Sequence, residues 1–326
     1  MASLDSSLTD FDFVVKTVED NYSGFPDKVS SVTLNAYRSH TQTHRRSFAS
    51  TSDTRQRGDI LISWLAFFSD RHLHLTGMTN ENVSNPVEKS PSAHLWSDDV
   101  LVIRIPSFLP EAQTHIEHLI SQNQATLSQV TNLIIDLRGN GGGTDSAYEA
   151  LLPYVCDGTI EIEGVDVRAT EENVMYLRNL ANAHDFPEDT RNHIENLATL
   201  MLENLNTFVQ MTPTQVIDLG NQIPGPTKVA ICIDGKCASS TEQFLIFARQ
   251  GQRVTLFGEN TMGCIDYSNI VTAETPSKSW SLHYPISRSK RVPLRMIDGK
   301  GVVPDVSVDA NSPSMIDEVA EYLRKL

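Results

Sequence analysis

The sequence predicts an α/β protein with a mostly parallel core sheet, an N-terminal helical domain and a helical insert. Three observations carry that expectation. From Asp98 onward, apolar strand-like runs alternate with helical stretches, a pattern that builds parallel sheets through right-handed crossovers. Before that point the apolar spacing is helical, and a long Asn- and Glu-rich stretch of helical spacing interrupts the alternation. At 326 residues, with 40% apolar and 21% charged content, the chain suffices for one large domain and a smaller one.

Taken in order, residues 8–22 place Phe11, Phe13, Val14, Val15 and Val18 at helical spacing, and 53–68 reads as a second, more buried helix. Residues 1–75 form the helical domain, and 76–97, polar and containing a proline, the linker. The core is expected over 98–310: strand 100–106, helix 111–130, strand 132–138 and helix 145–154. After the insert at about 161–226 come strand 228–234, a helix beyond Ser239 and strand 253–257. That insert, lying between two core strands, should project as a cap. Segments 280–285 and 302–308 are strand-like, and 311–326 carries a closing helix with Ile316, Val319, Ala320 and Leu323 on one stripe.

The net charge of -15 disfavours nucleic acid or an anionic membrane as partner. No apolar run approaches a membrane span, and the first residues lack the pattern of a signal peptide. The chain as written therefore reads as cytoplasmic, or as an exported form with its leader removed. Four cysteines (Cys156, Cys232, Cys237, Cys264) show no metal-ligand spacing and are too sparse for a disulfide scaffold. Cys156 and Cys232 read as core residues, Cys237 and Cys264 as neighbours of the site.

Four segments carry chemistry. Ser239-Ser240-Thr241-Glu242 follows an apolar run and opens a helix, so Ser239 sits beside unpaired helix N-terminal N–H groups. A nucleophile there finds stabilisation for an oxyanion, and a plain helix N-cap is the alternative. Asp136-Leu137-Arg138-Gly139-Asn140-Gly141-Gly142-Gly143 is a strand running into glycines that can aim several N–H groups one way, or simply make a tight turn. It lacks the Gly-Lys-Ser/Thr of a P-loop. Ser69-Asp70-Arg71-His72-Leu73-His74 offers a general base, or surface histidines. Asp298-Gly299-Lys300-Gly301-Val302-Val303-Pro304-Asp305 places an acid before a glycine turn.

In this order the segments resemble the C-terminal-processing (tail-specific) serine protease family, and more closely its tricorn-core-like branch. The glycine segment is similar to the family's Asp-Leu-Arg-x-Asn-x-Gly-Gly box and Ser239–Glu242 to its nucleophile box. Gly258-Glu259-Asn260-Thr261-Met262-Gly263 and Gly301–Asp305 resemble two further signatures. The resemblance implies a ClpP/crotonase-like spiral core and peptide-bond hydrolysis without metal or organic cofactor. Many members place a lysine base directly after the Gly-Glu-x-Thr-x-Gly run, where this chain has Cys264. The tricorn-like branch instead implies His72 as base and Asp298, three residues ahead of Gly301, as the carboxylate that orients it. Ser239 is then the nucleophile, and the N–H groups of Ser240, Gly141 and Gly142 form the oxyanion hole. Asp70 and His74 are weaker rivals for orienter and base, and Glu242 reads as a helix cap.

About 25 residues separate His74 from Val100, too few for the family's usual PDZ domain. The expected partner is a peptide or protein substrate, with the insert and N-terminal helices walling the cleft. The alternatives are a ligand-binding protein on the same fold, as in interphotoreceptor retinoid-binding protein, and an esterase or amidase acting on small molecules.

Overall fold

The computed structural model describes residues 8–77, 90–183, 186–220 and 224–325. The first residues of the chain and the centre of the expected linker therefore lie outside the described residues. Along the chain come α1 (Thr9–Asn21), α2 (Phe25–Lys28), α3 (Leu34–Ala49), α4 (Thr54–Leu65), β1 (His74–Gly77), β2 (Ser92–Ser97), β3 (Val100–Arg104), α5 (Pro110–Gln122) and α6 (Gln124–Leu127). Then follow β4 (Asn132–Asp136), α7 (Leu152–Val155), β5 (Thr159–Ile162), β6 (Val165–Arg168), α8 (Glu171–Ala183), α9 (Glu188–Glu203), β7 (Phe208–Thr212) and β8 (Gln215–Asp218). The last elements are β9 (Lys228–Ile233), α10 (Ser240–Ala248), β10 (Val254–Gly258), β11 (Tyr267–Glu274), β12 (Trp280–Ser289), β13 (Val306–Ser307) and α11 (Met315–Lys325).

Two compact units form, each discontinuous in sequence. The first comprises the residues up to Gly77 with Glu163–Thr214 and Asp266–Met296. Its sheet runs β1-β12-β6-β7, with β11 also on β12, and every pairing in it is antiparallel. Phe11, Val14 and Val18 of α1 are fully buried, as their helical spacing requires, and pack with Phe48, Trp64, Phe68 and Leu282 in one apolar cluster. The Asp53 side chain caps α4 by accepting the Gln56 N–H at 2.8 Å. A buried ion network of Arg291 with Asp266 (2.9 Å) and Glu163 (3.2 Å) ties β12's exit to the start of β11.

The second unit holds the six-stranded sheet β13-β10-β9-β4-β3-β2 and the β5-β8 ribbon. Its strands β3, β4, β9 and β10 are almost wholly apolar and buried, because helices cover both faces. On one face, α11 buries Met315, Val319, Ala320 and Leu323 against Val102, Ile134 and Ala230. The opposite face packs Ile116 of α5 and Phe244 and Leu245 of α10.

The expected spiral core with a mostly parallel sheet does not hold. Six of the ten strand pairings among the described residues are antiparallel, and the four parallel ones are confined to one sheet. The fold is mixed, with helices and largely antiparallel sheets. Strand–helix alternation reports only local crossovers. It carries no signal for short strands such as β6 and β7, which lie in the stretch read as a helical insert, β6 pairing with the distant β12 and β7 with β6.

Candidate active site

Strands β4 and β9 are parallel neighbours, with Asp136 opposite Cys232. Their carboxyl ends therefore deliver the glycine segment and Ser239 to the same edge of the sheet, where α/β proteins place their ligands. Asp234 joins the two loops by accepting the N–H groups of Gly139 (3.0 Å) and Lys236 (2.9 Å). Ser239 itself sits at φ +57°, ψ −124°, a conformation that a residue with a β-carbon rarely adopts. Such strain costs on the order of 1–3 kcal/mol and persists only where the surroundings enforce it. Here they do. The Ser239 N–H is held by both the Cys264 carbonyl and the Glu242 carboxylate, each at 3.2 Å.

Gly142 makes the close approach to this turn possible. A β-carbon there would stand 2.6 Å from the Ala238 carbonyl oxygen and 2.8 Å from the Ser239 Cβ, and the residue's φ is +92°. Asn140, fully buried, organises the turn around it. Its side chain donates to the Ile105 carbonyl and accepts the Gly142 N–H at 3.0 Å, while its own carbonyl accepts from the Thr241 hydroxyl. The Ser240 hydroxyl donates to the Gly143 carbonyl at 2.9 Å. The Gly142 N–H is thus engaged, whereas Gly141 is exposed and its N–H has no hydrogen bond among the described residues.

Glu242, fully buried in the first turn of α10, is the clamp of the assembly. Besides Ser239, its carboxylate accepts from the Thr261 hydroxyl and the N–H groups of Gly263 (2.7 Å) and Cys264 (2.8 Å). The Thr261 hydroxyl in turn accepts the Val302 N–H at 2.6 Å. Gly301 must be glycine for this contact, since its φ is +75° and a β-carbon would lie 2.1 Å from the Thr261 carbonyl oxygen. Asp305 exchanges backbone and side-chain bonds with Leu256 of β10, fixing the Val-Pro-Asp segment to the sheet. Asp298 accepts the Ile265 N–H at 2.8 Å. Cys264, at the position of the dyad lysine, is buried.

His72 belongs to the first unit. Ser69, left-handed at φ 47°, turns the chain after α4, and the buried Asp70 carboxylate accepts the His72 N–H (2.9 Å) and the Tyr22 hydroxyl (2.7 Å). Burial pushes the Asp70 carboxyl up from its usual range, against the opposing pull of these donors. The His72 Nδ1 lies 2.7 Å from the Tyr267 carbonyl oxygen. A carbonyl only accepts, so Nδ1 carries the hydrogen and Nε2 presents the basic lone pair. His74 points elsewhere, stacked on His283 with ring centres 4.5 Å apart.

Ser239, Ser240, Gly141, Gly142 and Asp298 all lie in the second unit, and His72 in the first. The first four form one continuous turn assembly. Sequence reasoning missed Asn140 as its hub, although an asparagine inside a glycine run is a turn signal. It also read Glu242 as a cap alone, where the carboxylate gathers two distant segments. The Tyr267 carbonyl that orients His72 leaves no trace in the sequence, because any residue carries one.

A serine held in a strained strand-to-helix turn against a glycine nest is the arrangement of a serine-type hydrolase. The chain belongs to peptidase family S41, which matches residues 99–308, and is a serine-type peptidase acting on peptide substrates. A sequence comparison with curated proteins gave no match. Among solved structures, the fold is similar to a candidate peptidase from Parabacteroides merdae ATCC 43184 (16% identity, 97% of this chain and 95% of that one, TM-score 0.65). It is also similar to mature CPAF (11%, 99% and 96%, TM-score 0.65) and a lipoprotein from Streptococcus agalactiae (15%, 98% and 96%, TM-score 0.54). At these identities the likeness establishes a shared fold. Among the described residues, no helix is long and apolar enough to cross a membrane.

Proposed function

We propose that the chain hydrolyses peptide bonds through Ser239 as nucleophile, His72 as general base and Asp298 as the acid of the triad, with a preference for processing carboxyl-terminal segments. The observation that carries the reading is the strained Ser239 backbone beside Gly142. The Ser239 Oγ attacks the scissile carbonyl while His72 Nε2 takes its proton and delivers it to the leaving amine. Water then attacks the acyl-enzyme by the same proton path, releasing the acid and restoring the serine. The Nδ1 contact to the Tyr267 carbonyl supports His72 in this role by holding the tautomer that leaves Nε2 basic. Asp298 adds negative charge that stabilises the imidazolium as it forms.

The oxyanion is assigned to the N–H of Ser240, an orphan donor at the first position of α10, together with the Gly141–Gly142 turn. Within that turn Gly141 is the more available donor, because Asn140 holds the Gly142 N–H. One such donor contributes about 3 kcal/mol to the transition state. A fluorophosphonate probe tests the reading: the intact chain labels, and Ser239→Ala and His72→Ala each abolish labelling. Labelling that survives in Ser239→Ala, or an intact chain that never labels, refutes it. Profiling cleavage of a peptide library then shows whether cuts cluster near carboxyl termini.

A further inference from the structure

Just beyond the glycine turn stands an acid, Asp145, that the catalytic scheme leaves unused. Phe108 and Gly143 form a parallel bridge: the Phe108 N–H donates to the Gly142 carbonyl at 3.2 Å, and the Thr144 N–H to the Phe108 carbonyl at 2.8 Å. The chain leaving the turn is therefore laid along 107–109, which brings Asp145 toward Leu109 at the start of a short 3₁₀ helix (Asp145–Leu151). The Ser146 hydroxyl fixes this step by donating to the Gln113 side chain of α5 at 2.8 Å. From the side of the nucleophile, the Ser240 hydroxyl holds the same segment through the Gly143 carbonyl at 2.9 Å.

The chemistry of this corner defines what it accepts. Asp145 opens to solvent on one side, and on the other its carboxyl lies in reach of the Tyr148 and Ser240 hydroxyls. Among the described residues no cation pairs with it, and the charge beside it is a second acid, Glu149. The protein packed around the carboxyl pushes its pKa up from the usual range, Glu149 pushes the same way, and the two hydroxyls oppose them. A cation arriving from outside relieves that cost. Leu109, 47% exposed, supplies apolar surface next to the acid. An acid beside an exposed leucine matches a side chain with an aliphatic stem and a cationic head.

We propose that Asp145 selects lysine or arginine as the substrate residue whose carbonyl is attacked. The oxygen of that carbonyl and the Asp145 carboxyl are both neighbours of Ser240, the first through its backbone N–H and the second through its hydroxyl. The β-carbon of that residue is two bonds from the carbonyl carbon, against three for the residue on the leaving side, so its side chain reaches the acid first. The stem lies on Leu109 and the cationic head pairs with Asp145 in a charge-assisted contact. An anionic side chain is repelled by Asp145 and Glu149 together. The proposal rests on the assignment of the oxyanion to Ser240 and deepens that reading into a substrate class.

The test compares four peptides identical except at that residue, which is lysine, arginine, norleucine or glutamate. Norleucine serves as the uncharged counterpart of lysine. The parent chain should cleave the lysine and arginine peptides with kcat/KM about tenfold or more above norleucine, and the glutamate peptide worst of all. Asp145→Asn should bring the lysine-to-norleucine ratio close to one, and Asp145→Lys should place glutamate above lysine. Circular dichroism and Tm verify that each variant is folded. A purely structural role for Asp145 would slow all four peptides alike and keep the parent's ratio, which overturns the proposal. It is equally overturned, without any variant, if the parent shows no preference for the basic peptides over norleucine. Mass spectrometry locates the cut, and a basic preference on its leaving side also overturns the assignment. Failure of the catalytic reading looks different: no peptide is cut, or cutting survives Ser239→Ala, whereas a failed Asp145 leaves Ser239-dependent cleavage without the charge preference.

Discussion

Replacing Glu242 by glutamine should damage both stability and turnover, and the structure sets the scale. One carboxylate oxygen accepts from the Thr261 hydroxyl and the Gly263 N–H, the other from the N–H groups of Ser239 and Cys264. Glutamine keeps one oxygen, so its amide NH₂ must face two donors on the other side. The Ser239 N–H retains the Cys264 carbonyl, but the Cys264 N–H loses its carboxylate partner. A hydrogen bond to a buried charge contributes about 1.5–3 kcal/mol and a donor–donor confrontation adds to the loss, giving about 2–4 kcal/mol in all. At roughly 2 °C per kcal/mol for a chain of this size, Tm should fall by about 4–8 °C. Because the same contact fixes the strained Ser239 backbone, kcat should drop about 10–100-fold with little change in KM, as expected for a misplaced nucleophile. Differential scanning calorimetry and steady-state cleavage of a peptide measure the two effects. An unchanged Tm together with an unchanged kcat would refute the assignment of Glu242 as the clamp of the nucleophile turn.

Gly142→Ala should cost at least about 2 kcal/mol in urea denaturation and lower kcat more than tenfold, because its β-carbon collides with Ala238 and Ser239. Asp70→Asn should alter the pH dependence of stability in a known direction. Burial raises the Asp70 carboxyl's pKa, so as pH climbs from about 3.9 toward the raised native value the native state binds more protons and stability falls. Asparagine removes that slope, and the stability of the variant relative to the parent should therefore rise with pH across this interval. The four cysteines should resist a thiol reagent at pH 8 until the chain is denatured, since all are buried. Burial also pushes the thiols of Cys232 and Cys237 up, and that of Cys156 up to about 11; rapid modification of the native chain would contradict the packing.

The strands 100–104, 132–136 and 228–233 were legible because buried parallel strands read as continuous apolar runs. The closing helix was legible from the spacing of Val319, Ala320 and Leu323. Strands β6 and β7 were not, since each is five residues or fewer and gains its meaning only by pairing with a partner far along the chain. The same limit governs the site. Ser239 announces itself by preceding a helix after an apolar strand, whereas the tautomer of His72 depends on a carbonyl 195 residues away.

Local chemistry, then, was written in the sequence itself: the family, the serine-type reaction, the glycine turn and the helix that Ser239 opens. Those features depend on residues close together in the chain, where propensity and spacing act directly. Tertiary structure alone decided the antiparallel sheet around β12, the division into two discontinuous units, and the convergence of Thr261, Gly263 and Cys264 on Glu242. Each of these arises when distant segments satisfy one another's backbone hydrogen bonds and bury a shared apolar surface, and no local pattern encodes which segments will meet.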